Sequence, residues 1–183
     1  MFVLILFTQE KINGYFLLFM ITCFITGLVV EIIGTQTGSL FGKYVYNDVL
    51  GPEWKDVPLI IGINWFIIIY CCGISIQTLI LKLPDPVSIT GKPKSAMKAA
   101  SVIIDGALLA VLFDWIMEPV AVKLGYWTWL ESTIPTFNYL TWFIVSALLL
   151  AVFHFSPFGK QNKFAVNLLL IQVMFFLVLR TFL

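Results

Sequence analysis

The sequence predicts an all-α polytopic membrane bundle, with about five full transmembrane helices plus a short N-terminal apolar segment, in one integral membrane domain over residues 1–183. Three observations predict it. The chain is 60% hydrophobic and 11% charged, where a soluble domain carries about 25% charged residues. Its mean hydropathy is +0.98. Five apolar runs are each long enough to cross a hydrocarbon core, which takes about 20 helical residues. A formal net charge of +1 gives no global field for nucleic acid.

Met1–Phe7 is apolar but too short to span, and it lacks the basic region and small-residue cleavage site of a signal peptide. It reads as the tail of a longer helix or as a short interfacial piece. The spanning runs follow at Tyr15–Gly34, Pro58–Leu81, Ala96–Val122, Tyr139–Phe155 and Phe164–Leu183. A spanning backbone must satisfy its own hydrogen bonds, and barrel strands would alternate over about 10 residues, so unbroken runs of this length are helices. Cys23, Cys71 and Cys72 lie inside these runs without metal-ligand spacing and read as small buried hydrophobes.

The loops divide by charge. One face collects Lys11, Lys82, Lys92, Lys94, Lys98, Lys160 and Lys163; the other has Lys43, Lys55, Lys123 and Arg180. The bias of seven against four places the first face in the cytoplasm and the loops Thr35–Val57 and Lys123–Asn138 on the extracytoplasmic side. The cytoplasmic connectors are turns, at Pro84-Asp85-Pro86, Thr90-Gly91-Lys92-Pro93-Lys94 and Ser156-Pro157-Phe158-Gly159, and their lysines are expected to orient the protein and meet anionic lipid headgroups. The opposite loops interleave glycine with aromatic residues, from Thr37 to Tyr46 and from Gly125 to Trp129.

Polar residues inside the runs converge on that second face. Glu31 ends the first helix, Asn64 and Trp65 lie about two turns into the second, Asp114 and Glu118 close the third, and Asn138 and Trp142 open the fourth. One polar pocket under the two aromatic loops accounts for all of them. Asp114 and Glu118, four residues apart, share a helix face. Two carboxylates close together in low dielectric do not both ionise cheaply, so one is expected to keep its proton and act as a donor beside a base. Glu31 is a third member or orients the pair. Asp105 lies roughly 13 Å along the helix from Asp114 and reads as structural, and His154 lies near the opposite end of its helix. There is no HExxH, Cys/His cluster, DDxxD box or GxSxG motif. A three-carboxylate metal site of Glu31, Asp114 and Glu118 stays open, though it lacks histidine support.

These residues together resemble a known family. The series is Glu31-x-x-Gly34-x-x-Thr37-Gly38-x-x-Phe41-Gly42-x-Tyr44-x-Tyr46, Gly51-Pro52, Val57-Pro58, Asp114-Trp115-x-x-Glu118-Pro119, Gly125-x-Trp127-x-Trp129 and Pro135-x-x-Asn138-x-x-x-Trp142. It resembles the membrane carotenoid biosynthesis proteins that include bacterial carotenoid 1,2-hydratases. Family members often carry a further N-terminal helix, which Met1–Phe7 represents in part. Relatives often have aspartate where this chain has Glu118. The resemblance implies addition of water to the terminal double bond of an acyclic carotenoid end group, without a cofactor, through a tertiary carbocation. Asp114 and Glu118 would be acid and base in unassigned order, with Glu31 assisting and Asn64 and Asn138 holding water. Trp65, Trp115, Trp127, Trp129, Trp142, Tyr44 and Tyr46 are the candidates to stabilise the cation, by about 0.5–2 kcal/mol per ring face. The competing readings are an end-group cyclase of the lycopene type, which starts from the same protonation, and a non-catalytic carotenoid-binding or transport protein, although no inverted repeat is visible.

Overall fold

The computed structural model describes residues 1–82, 94–131 and 133–183. In chain order the elements are α1 (Phe2–Thr8), α2 (Gly14–Thr37), β1 (Tyr44–Tyr46), β2 (Glu53–Trp54), β3 (Val57–Pro58), α3 (Leu59–Lys82), α4 (Lys94–Lys123), β4 (Trp127–Trp129), α5 (Thr136–Phe155) and α6 (Lys163–Phe182). Among the described residues α2 to α6 are five helices long and apolar enough to cross a membrane, so the chain is an integral membrane protein. Their ends fall close to the expected ones; the widest gaps, three residues each, are Gly34 against Thr37 and Tyr139 against Thr136. The turn at Pro84-Asp85-Pro86 and most of the basic turn before α4 lie outside the described residues.

The helix starts have local causes. Asn13 caps α2 by accepting the Phe16 N–H at 2.9 Å, and Asn162 caps α6 by accepting the Ala165 N–H at 3.2 Å. At the other end of α2, Gly38 takes the left-handed conformation (φ 67°) and returns its N–H to the Gly34 carbonyl. α3 forms the centre. Every residue from Trp65 to Ile74 is buried, as expected of a helix apolar on all sides. α2 packs on one flank of α3, and α4 and α6 on the others; α5 packs along α4. Gly27, Gly73 and Gly106 let helices approach closely, and each meets a side chain of this same chain, Trp65, Phe153 and Leu150 in turn.

At the lysine-rich end a second polar group ties α1 into the bundle. Tyr70 on α3 donates to Gln9 Oε1, Asn162 donates to the Tyr70 oxygen at 3.1 Å, and Gln9 donates to the Gly159 carbonyl at 2.8 Å. Lys160 is not a simple headgroup lysine. Its ammonium donates to the His154 and Ser156 carbonyls, both at 2.8 Å, and lies over the rings of Phe153 and Phe158. It therefore closes the C-terminal end of α5, where a cation complements the helix dipole. Burial there holds its pKa below the ordinary lysine value.

The opposite end holds structure that a purely helical reading did not include. β1 and β4, from two loops far apart in sequence, pair antiparallel with Tyr44 opposite Trp129 and Tyr46 opposite Trp127. A second small hairpin, β2–β3, turns through Lys55 and Asp56, both at positive φ. The β1–β4 ribbon joins the α2–α3 and α4–α5 connections over the mouth of the bundle.

Candidate functional site

Three carboxyl side chains lie deep under this ribbon. Glu31, Asp114 and Glu118 are 5%, 1% and 3% exposed, and all line one cavity of about 520 Å³ between α3, α4 and α6. No Lys, Arg or His among the described residues lines it. Their partners are neutral donors, and each carboxyl has a different set.

Glu31 projects from the last turns of α2 and takes three. Its Oε2 accepts from the hydroxyls of Tyr44 and, at 2.8 Å, Tyr46; its Oε1 accepts from Trp65 Nε1 at 3.0 Å. Burial, and next the charge of Glu31, hold both phenols well above their ordinary pKa near 10, so they remain O–H donors. Glu118 takes two, both to Oε2: Trp127 Nε1 at 2.9 Å and Trp129 Nε1 at 3.3 Å. Asp114, one turn earlier on α4, accepts from Asn138 Nδ2 at 3.1 Å. The ribbon explains how four aromatic groups reach two acids. Side chains alternate along a strand, so Tyr44 and Tyr46 point to one face with Trp127 and Trp129, while Val45 and Thr128 point away.

The cavity wall continues in aromatic rings. Trp65 and Trp142 stack with centroids 4.1 Å apart and planes 10° from parallel. Trp65 reaches this position because Gly27 opposite it has no side chain; a Cβ there would sit 2.5 Å from Trp65 Cγ. Asn64 and Asn138 both line the cavity. Further from the ribbon the lining turns apolar, with Ile67 and Ile68 of α3, Phe113 and Met117 of α4, and Leu168 and Phe176 of α6.

Of the residues picked out from sequence, the structure brings together Glu31, Tyr44, Tyr46, Asn64, Trp65, Asp114, Glu118, Trp127, Trp129, Asn138 and Trp142. Trp115 is the exception. One residue on from Asp114, it is turned about 100° around the helix and is 48% exposed on the outside of the bundle. There the Arg180 guanidinium covers its ring at 4.3 Å. Asp105 is also on an exposed face, bonded by Ser101 of its own helix. Among the described residues no three His, Cys, Asp or Glu side chains converge as a metal-ligand set. Sequence reasoning missed the α6 wall, where Gln172 within an apolar run lines the cavity and was a usable signal, and the pairing of the Tyr-Val-Tyr and Trp-Thr-Trp segments, whose period-two alternation was a usable strand signal.

The class defined here is a helical membrane protein that encloses a cavity acidic at one end and apolar at the other. The chain belongs to the carotenoid biosynthesis protein family, whose model matches residues 1–183. Comparison with curated proteins and with solved structures finds no match. Membership gives the protein a role in carotenoid biosynthesis and implies carotenoid-type substrates.

Proposed function

We propose that the protein is a cofactor-free hydratase that adds water to the terminal double bond of an acyclic carotenoid end group. The observation that carries this reading is the juxtaposition of two carboxyls, Asp114 and Glu118, with a hydrocarbon-lined compartment that contains no basic side chain among the described residues. An acid held away from water and cations can deliver a proton to an alkene.

In this mechanism Asp114 is the acid. It has a single amide donor, whereas Glu118 is held by two indole N–H groups and suits the base. The proton passes from Asp114 to the less substituted carbon of the terminal double bond, leaving a tertiary cation on its neighbour. The ring faces around it, Trp65 and Trp142 foremost, stabilise the charge by about 0.5–2 kcal/mol each without a nucleophilic atom to trap it. Water held by Asn138 or Asn64 attacks the cation and loses a proton to Glu118. Return of that proton to Asp114 closes the cycle, and the net change is one water added. Glu31 positions the rings and phenols. On the lysine count, the acidic end faces the extracytoplasmic side of the inner membrane.

The test is expression in a host that makes an acyclic carotenoid, with labelled water and mass measurement of the extracted pigments. One added water carrying the label is the expected product. A shifted spectrum at unchanged mass identifies cyclisation instead, and unmodified pigment bound to the purified protein identifies a carrier. Asp114→Asn is expected to lower turnover by ~100-fold or more, the scale of a lost general acid; hydration at the normal rate in that variant removes Asp114 from the mechanism.

A further inference from the structure

The cavity is not closed to the bilayer. Two of its lining residues, Ile171 and Phe175, are 64% and 54% exposed, and both lie on the outer surface of the bundle. α6 is packed down at one end by Ala165, Leu168 and Leu169 and held at the other by Arg180 on Trp115, and Ile171 and Phe175 lie between these anchors. Ile171 and Phe175 also line a shallow groove on the outside of α6 with Leu170, Met174, Val178 and Leu179. Inner cavity and outer groove therefore meet at the same two side chains, and the groove is hydrocarbon along its length.

The acids set a second constraint. Asp114 and Glu118, one helical turn apart, are the acid pair that lines the cavity among the described residues, so one end group at a time can meet it.

We propose that the site takes one carotenoid end group at a time, entering sideways from the bilayer past Ile171 and Phe175, while the remaining polyene lies in the groove along α6 and the far end stays in lipid. This rests on the hydratase reading and adds a consequence to it. The two ends of a symmetric substrate are modified in separate encounters, and the chemistry of the distant end is not read.

The experiment uses the full chain reconstituted in phospholipid vesicles with a symmetric acyclic carotenoid in large excess over protein. Singly hydrated pigment is expected to build up first as the main product, with the doubly hydrated form following as substrate is consumed. A carotenoid with one acyclic end and one bulky cyclic end is expected to react at a rate within about twofold per acyclic end. Doubly hydrated product appearing from the start, without a free singly hydrated intermediate, overturns the proposal while leaving hydration intact. So does a loss of ~10-fold or more in rate when the distant end is cyclic. Absence of any hydrated product overturns the hydratase reading and this proposal with it. As a second variant, Met174→Arg puts a charge in the outer groove, away from the cavity lining. It is expected to slow the vesicle-borne carotenoid ~10-fold or more and to spare a short detergent-soluble isoprenoid with the same end group. Equal effects on both substrates in protein whose cysteines remain unreactive to maleimide overturn the sideways entry.

Discussion

Glu31 receives three donors from two elements, Tyr44 and Tyr46 of β1 and Trp65 of α3, and Trp65 in turn stacks on Trp142 of α5. A buried donor left without an acceptor costs about 1–3 kcal/mol. Glu31→Ala strands three at once and should destabilise the protein by roughly 3 kcal/mol or more, read as a lower midpoint of thermal unfolding in detergent. Glu31→Gln keeps an acceptor oxygen and should recover much of that loss. Equal midpoints for the two variants would mean that Glu31 does not hold the ribbon to the bundle. Asp114 differs in having one donor, so Asp114→Asn is a test of chemistry more than of folding.

At the scale of elements, α4 contains a proline that the rest of the fold accommodates. Pro119 has no N–H, so the carbonyl four residues earlier, that of Trp115, loses its helical partner. Arg180 of α6 donates to that same carbonyl at 3.3 Å while its guanidinium lies over the Trp115 ring. The break in α4 directly after Glu118 is thus repaired from the neighbouring helix. Arg180→Met should lower stability by about 1 kcal/mol, since the contact is exposed and a hydrogen bond to a charged group is partly screened there. In a Pro119→Ala background the helix supplies its own N–H, and the effect of Arg180→Met should shrink. A double-mutant cycle reads this coupling directly, and strict additivity of the two changes would refute it. The β1–β4 ribbon is the other element-scale device, because its register brings Trp127 and Trp129 to Glu118 beside the tyrosines that reach Glu31.

For the whole molecule, burial is uneven. α3 is enclosed by its neighbours along its middle, whereas α6 buries only Ala165, Leu168 and Leu169. Cys71 and Cys72 lie at the centre of α3, and Cys23 is enclosed on α2. A maleimide probe should therefore label none of the three thiols in the folded protein, and all should become reactive together as the bundle unfolds. Labelling of Cys71 or Cys72 under native conditions would show that α3 is reached without global opening. The same unevenness leaves the α6 side as the place where an apolar molecule meets the cavity.

Much of this was legible in the chain. Helix number and span follow from the length and continuity of the apolar runs, because a bilayer leaves the backbone few other ways to satisfy its hydrogen bonds. The convergence of Glu31, Asp114, Glu118 and Asn138 was legible too, because antiparallel helices of similar length bring residues of like depth together. Trp115 was misread because composition marks an aromatic residue without saying which way its helix face turns. The strands were missed because segments of three residues carry little local signal and form only when two loops more than eighty positions apart meet. Sequence alone thus determined the membrane class, the helices and the acidic pocket, since hydrophobic length and the energetics of burying charge are local properties. Only the tertiary structure decided which donor serves which carboxyl, which side opens to lipid and what repairs the proline break, since these depend on side-chain direction and on contacts between elements distant in sequence.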